Sequence, residues 1–253
     1  MPNTPGWLRN FHKSTSGPRP PFVVFPHAGS GASGYRSLSK RLSAEFDVVL
    51  VQYPGRQDRA AVPAAATMNE LAAGAFAEFA ESEWAGRGPV VVFGHSIGAI
   101  AAFEFVRLAE AAGIDVDLLV ASSSVAPALV ADYPPHPTAD EELLDRLDAL
   151  HGTGADVLAN RDIMRLTLPV LRADYQAFDR YRCDGDVTVR APIQVLGGAD
   201  DEFVTIAQLR AWAQHSERGS AVSLFDGGHF FLNENVDEVA ELIPAAAALA
   251  NQR

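Results

Sequence analysis

The chain has 253 residues, 48% of them hydrophobic, and a formal net charge of −12 with no Lys/Arg run. That length suits one large core, and the acidic balance argues against a nucleic acid or an anionic membrane surface as partner. No apolar run reaches a membrane span, Met1-Pro2-Asn3-Thr4-Pro5-Gly6 lacks the basic-then-apolar pattern of an export signal, and Cys183 has no disulfide partner, so a single cytoplasmic domain over 1–253 is expected, with Cys183 a buried or bystander thiol rather than a nucleophile.

The first 20 residues, with Trp7, Phe11 and Pro18-Arg19-Pro20-Pro21, read as an arm carrying one short edge strand. Apolar, β-branched runs predict strands over 22–25, 47–53, 90–93, 118–123, 192–196 and 221–225. Helical spacing predicts helices over 35–44, 68–84, 97–112, 205–215 and 235–249. Strands alternating with helices form a mostly parallel sheet covered on both faces, an α/β fold. The stretch 133–183 breaks this rhythm. Helices are expected over 140–150 and 162–181 with no strand between them, Pro169 kinking or interrupting the second, as in an insertion over the C-terminal edge of the sheet.

The strand at 90–93 runs into Gly94-His95-Ser96-Ile97-Gly98 and then into an Ala-rich helical pattern. Strand, Gly-x-Ser-x-Gly and helix in succession make a nucleophile elbow. The turn is so tight that side chains at the two glycines would strike backbone, and Ser96 is held strained with its hydroxyl exposed. A serine hydroxyl is a poor nucleophile at neutral pH and needs a base oriented by an acid, in the chain order Ser, Asp or Glu, His.

Of the seven histidines, only His215 and His229 follow the strand at 192–196. His229, in the Gly-rich loop Phe225-Asp226-Gly227-Gly228-His229, is the expected base, whereas His215 ends a helix beside Ser216-Glu217-Arg218 and reads as solvated. His95 reads as packed behind the nucleophile, and His12, His136 and His151 as surface residues. No two histidines share a ligand-like spacing, so no metal is expected. The acid belongs on the loop after Gly197-Gly198, where spacing leaves Asp200 and Asp201 both open; Asp226 and Glu202 fit less well.

An oxyanion hole needs two backbone N–H groups aimed at one point. Ile97, at the helix N-terminus beside Ser96, is expected to supply one, and Ala28, in the small-residue loop Pro26-His27-Ala28-Gly29-Ser30, the other. Gly29, Gly31 and Gly34 also match Gly-x-Gly-x-x-Gly, but the next strand ends in Gln52-Tyr53-Pro54 with no acid to hold a ribose, which disfavours a dinucleotide.

Phe25-Pro26-His27-Ala28-Gly29, Tyr53-Pro54-Gly55-Arg56-Gln57-Asp58-Arg59, Gly94-His95-Ser96-Ile97-Gly98-Ala99, Leu171-Arg172-Ala173-Asp174-Tyr175, Gly197-Gly198-Ala199-Asp200-Asp201 and Gly228-His229-Phe230-Phe231-Leu232 stand in order along the chain. Together they resemble the discrete type II thioesterases that accompany polyketide synthases and nonribosomal peptide synthetases, within the α/β-hydrolase superfamily, over nearly the whole chain. The resemblance places the acid at the end of a Gly-Gly-x-x-Asp pattern, on Asp201. The chain departs from it at Ile97, where Met is usual, and at Gln57, where Gly is common.

The resemblance implies an α/β-hydrolase fold, a Ser96–His229–Asp201 triad and no cofactor of the protein's own. The implied substrate is a wrong or stalled acyl group on the phosphopantetheine arm of an acyl carrier or peptidyl carrier protein, removed by hydrolysis. The insertion at 133–183 would be a lid, with Leu143, Leu147, Leu166, Leu168 and Leu171 either lining the acyl chamber or simply packing the lid. Attraction to an acidic carrier would fall to Arg161, Arg165 and Arg172 or to Arg36, Lys40 and Arg41, unless these are merely solvated helix faces. The alternatives are a chain-releasing thioesterase, disfavoured by a start at Met1 with no fused carrier domain, and a small-ester or lipid hydrolase. An idle binding module is disfavoured by the complete Ser, Asp and His set.

Overall fold

The computed structural model describes residues 6–13, 17–151 and 161–250, and their side chains except at 151 and 161–166. Among the described residues, strands β1 (Leu8–Arg9), β2 (Pro21–Phe25), β3 (Asp47–Val51), β4 (Val90–His95), β5 (Val116–Ser122), β6 (Ile193–Gly198) and β7 (Ser220–Phe225) form one sheet ordered β1-β3-β2-β4-β5-β6-β7. β1 runs antiparallel to β3, with Leu8 opposite Val51, and the other pairs are parallel. The chain leaves β2 towards β3 on one side and returns to place β4 on the other. The crevice at the C-terminal ends of β2 and β4 is therefore a topological switch point, where ligands bind in such sheets.

The inner strands are buried on both faces, which is why they read as continuous apolar runs. Val23, Phe25, Val49, Val51, Val90, Val92, Leu119 and Ala121 face one core. Their neighbours Phe22, Val24, Val48, Leu50, Val91, Phe93, Leu118 and Val120 face the other. Helices α1 (Arg36–Leu42) and α7 (Val236–Ala250) cover the second face; α2 (Met68–Ala80) and α3 (Ile97–Ala111) cover the first. Met68, Leu71, Ala72, Ala75 and Phe79 make the buried stripe of α2, which starts where Thr67 Oγ1 accepts the Glu70 N–H at 3.1 Å.

Between β5 and β6 lie α4 (Asp140–His151) and α5 (Arg161–Asp179), which pack on each other, and α5 also packs on α3. α5 runs through Pro169 without the expected interruption. Burial of Leu168, Leu171, Tyr175 and Phe178, which recur at helical spacing, outweighs the lost hydrogen bond. The helix expected over 205–215 instead splits into α6 (Ile206–Arg210) and a 3-10 turn, Ala211–His215. β3 stops at Val51 rather than 53, ahead of Pro54, which has no N–H to donate to a ladder. Among the described residues no helix is long and apolar enough to cross a membrane.

Candidate active site

Ser96 sits between β4 and α3 at φ +55, ψ −128, a conformation that costs a non-glycine residue on the order of 1–3 kcal/mol and persists only where its surroundings enforce it. Its N–H donates to Ser122 O at 2.8 Å. A Cβ on Gly94 would lie 2.5 Å from Ala99 Cα and overlap the Gly98 carbonyl; one on Gly98 would overlap the Phe25 carbonyl and lie 2.5 Å from that of Pro26. The two glycines are thus a steric requirement of the turn. Ile97 opens α3, so its N–H has no partner within the helix.

His229, on the loop after β7, places Nδ1 2.9 Å from Oδ2 of Asp201, on the loop after β6. The other carboxylate oxygen accepts the N–H groups of Phe203 at 2.9 Å and Val204 at 3.2 Å. The two side chains are 6% and 1% exposed. Burial by itself would raise the pKa of Asp201, but the hydrogen bond and charge of His229 and the two N–H donors hold it below its ordinary value. The carboxylate is therefore ionised, able to fix Nδ1–H on the imidazole and leave Nε2 to accept a proton. Asp200, Glu202 and Asp226 are exposed; the N–H of Asp200 donates to Gly227 O at 2.9 Å.

Ser96 and His229 line one cavity of about 30 Å³, bordered on the insertion side by Tyr133, His136, Arg146, Leu150, Tyr175 and Phe178. The turn after β2, with Ser30 N–H on His27 O at 3.1 Å, carries Ala28 at the same end of the sheet. Gln52, in the position of the missing ribose acid, accepts the Ala32 N–H at 3.0 Å and so braces this Gly-rich loop.

His95 is 1% exposed, with Nδ1 2.9 Å from Ser122 Oγ. Burial, then the His229 and His27 rings, hold its pKa well below the ordinary value, so it is neutral.

Several sequence expectations need correction. His215 is fully buried rather than solvated: Nδ1 donates to Val187 O at 2.7 Å and Nε2 accepts the Ala128 N–H at 3.2 Å. The 3-10 turn swings it inward against Phe103 and Trp212. His136 is not a surface residue either; it stacks on Tyr175 with ring centres 3.9 Å apart and meets Asp179 at 2.7 Å. Leu143, Leu168 and Leu171 are buried in the core and Leu147 packs against it, the lid-packing alternative, and the cavity wall mixes Tyr133, His136, Arg146, Tyr175 and Phe178 with Ile97, Val125, Leu150 and Val204. The side chains of Leu166, Arg161, Arg165 and His151 lie outside the described residues. Arg172 pairs with Asp140 and Arg41 with Asp237, while Arg36 lies 4.2 Å over the Phe11 ring. His12 Nδ1 meets Ser39 Oγ at 3.0 Å. Cys183 is half-buried, and burial foremost pushes its thiol pKa up, away from a reactive thiolate.

Two features had no role in the sequence reading. Ser123 has φ +43 and a buried hydroxyl without a hydrogen-bond partner among the described residues, and it borders the cavity. Arg56 and Asp174, 6% and 2% exposed, form a two-pronged ion pair with both contacts at 2.7 Å. Their segments recur in the family resemblance, which was the available signal. Gln57 stands at φ +50, a left-handed conformation that glycine adopts freely, which accounts for the glycine common there.

A parallel sheet whose order reverses at β2, with the strained serine at the end of the adjacent β4 and the Asp–His pair on the loops after β6 and β7, is the α/β-hydrolase fold. Within that class the chain can be placed further: residues 20–247 match the thioesterase domain model, and the chain belongs to that family. It is 42% identical over 241 residues to phenyloxazoline synthase MbtB of Mycobacterium tuberculosis, a match covering 94% of this chain but only 17% of the synthase. Thioesterase PikA5 of Streptomyces venezuelae is 34% identical over 235 residues, covering 92% of this chain and 82% of the relative. Among solved structures, the type II thioesterase BorB from the borrelidin biosynthetic cluster matches at TM-score 0.83 and 35% identity, covering 97% of this chain and all of BorB.

Proposed function

We propose that this chain is a discrete editing thioesterase, a hydrolase that clears wrong or stalled acyl groups from the phosphopantetheine arm of acyl carrier or peptidyl carrier proteins in the cytoplasm. The observation that carries the reading is the buried His229–Asp201 pair opening onto the same cavity as the strained Ser96. Ser96 Oγ attacks the thioester carbonyl while His229 Nε2 takes its proton. The N–H groups of Ile97 and Ala28 hold the oxyanion. The tetrahedral intermediate collapses, expelling the thiol, which leaves with the proton from His229. A water activated by His229 then attacks acyl-Ser96 and releases the acid. No cofactor or metal enters these steps.

The insertion at 133–183 serves as the lid of a single domain, and the wall it gives the cavity, Tyr133, His136, Arg146, Leu150, Tyr175 and Phe178, meets the acyl group. Likeness to the type II thioesterase BorB, over 97% of this chain and all of BorB, supports the editing reading. The match to a 17% portion of a synthase favours a second reading, a chain-releasing domain.

Carrier proteins loaded with short, wrong acyl units or with a full-length chain, followed by intact-protein mass spectrometry beside the matching acyl-CoA and simple esters, test both. Editing requires broad removal of short and medium units from the carrier. Selective release of the long chain supports the second reading, and turnover of free esters with carrier thioesters intact rejects both.

A further inference from the structure

The turn His27–Ser30 has Gly29 at φ +74 in its third position, so the N–H groups of Ala28 and Gly29 are both left over by the turn's own hydrogen bond, Ser30 N–H to His27 O. Gly29 N–H donates to Asp174 Oδ2 at 2.8 Å. That oxygen also accepts from Arg56 Nη1 at 2.7 Å, while Oδ1 accepts from Arg56 Nη2 at 2.7 Å. Arg56 Nη1 reaches Ser30 O as well, at 3.0 Å. Asp174 belongs to α5 of the insertion, 145 residues from Gly29, and both members of the ion pair are buried. A buried carboxylate bound to a guanidinium and a backbone N–H is a rigid support, since each broken contact would leave a charge or donor unsatisfied.

We infer that Asp174 is the positioning residue of the oxyanion hole. By consuming the Gly29 N–H and, through Arg56, the Ser30 carbonyl, it sets the tilt of the turn so that the Ala28 N–H is the donor turned to Ser96. Because the support comes from the lid, the hole is complete only while α5 is seated on the loop, and lid displacement uncouples substrate entry from hydrolysis. The inference rests on the hydrolytic reading above.

The test compares two variants with wild type for kcat, KM and affinity for an alkyl boronic acid, which forms a tetrahedral adduct on the serine and needs the oxyanion hole. Asp174→Asn keeps the shape but offers one acceptor oxygen to three donors; Arg56→Met with Asp174→Leu removes the support without leaving a buried charge. Asp174→Asn is expected to lower kcat about tenfold or more, with KM within about threefold and boronate affinity falling in parallel with kcat. The double variant should lose about a hundredfold; if it does not fold, Asp174→Asn alone decides. A loss carried by KM, boronate affinity unchanged, or kcat within twofold of wild type overturns the inference. If instead Ser96→Ala matches wild type, the hydrolytic reading itself has failed, a result distinguishable from the others.

Discussion

Nδ1 of His229 and Oδ2 of Asp201 lie 2.9 Å apart although 28 residues separate them in the chain. The side chain of the neighbouring Asp200 is exposed. Only the carboxylate on Nδ1 can hold the imidazole in the tautomer that accepts the serine proton. Asp201→Asn should therefore lower kcat by about 10²- to 10⁴-fold, and Asp200→Asn by a few-fold at most. Steady-state hydrolysis of an acyl thioester checks the order; a larger loss at Asp200 would move the acid.

His95 and His215 make stability depend on pH. Both are buried with pKa values lowered below 6.5, burial being the leading cause in each. The unfolded chain then binds protons that the folded one refuses. Their contribution is full above about pH 6.5 and is lost as pH falls below it, by up to about 1.4 kcal/mol per pH unit for each histidine. Asp201, lowered from 3.8, adds its own loss only in stronger acid. Urea unfolding should show a plateau near neutrality, a decline below it, and a shallower decline in His215→Gln. A flat profile down to about pH 5 would contradict this.

The elbow makes a steric prediction. Gly98→Ala should cost about 2 kcal/mol or more, because the new Cβ meets the carbonyls of Phe25 and Pro26 rather than a side chain that can move. Gly86, with nothing within 4 Å of an added Cβ, is the control, and Gly86→Ala should stay within about 0.5 kcal/mol. Equal melting temperatures for the two variants would show that the turn can relax.

The cavity wall bears on acyl preference. Arg146 donates to the Tyr133 hydroxyl at 3.1 Å and lies 3.8 Å over the Phe203 ring. Replacing it by Met exchanges one polar side chain of the wall for an aliphatic one, beside Val125, Leu150 and Val204. The ratio of kcat/KM for an aliphatic over a hydroxylated acyl thioester should rise by about three- to tenfold. An unchanged ratio would mean that the acyl group lies elsewhere.

What was legible in the sequence followed from local necessity. Gly94, Ser96 and Gly98 are dictated by a turn in which a Cβ has no room, and the apolar runs of β2 to β6 by burial on both faces. Asp200 and Asp201 are chemically identical neighbours; which one faces His229 depends on the path of a loop. Arg56 and Asp174 lie 118 residues apart, so no local pattern joins them. His136 and His215 were misplaced because ring direction is set by a stack on Tyr175 and by a 3-10 turn. Leu168 and Leu171 turn to the core because α5 must bury one face there, while Leu150 of α4 borders the cavity beside aromatic and polar side chains.

The most direct test of hydrolysis through Ser96 is rapid-quench intact-mass analysis of the protein mixed with an acyl-loaded carrier. The expected result is a transient adduct of one acyl group, mapping to the peptide that contains Ser96, stronger at acidic quench and absent from folded Ser96→Ala, which leaves the carrier loaded. Carrier unloading by Ser96→Ala at the wild-type rate, or an adduct on another residue, would contradict it.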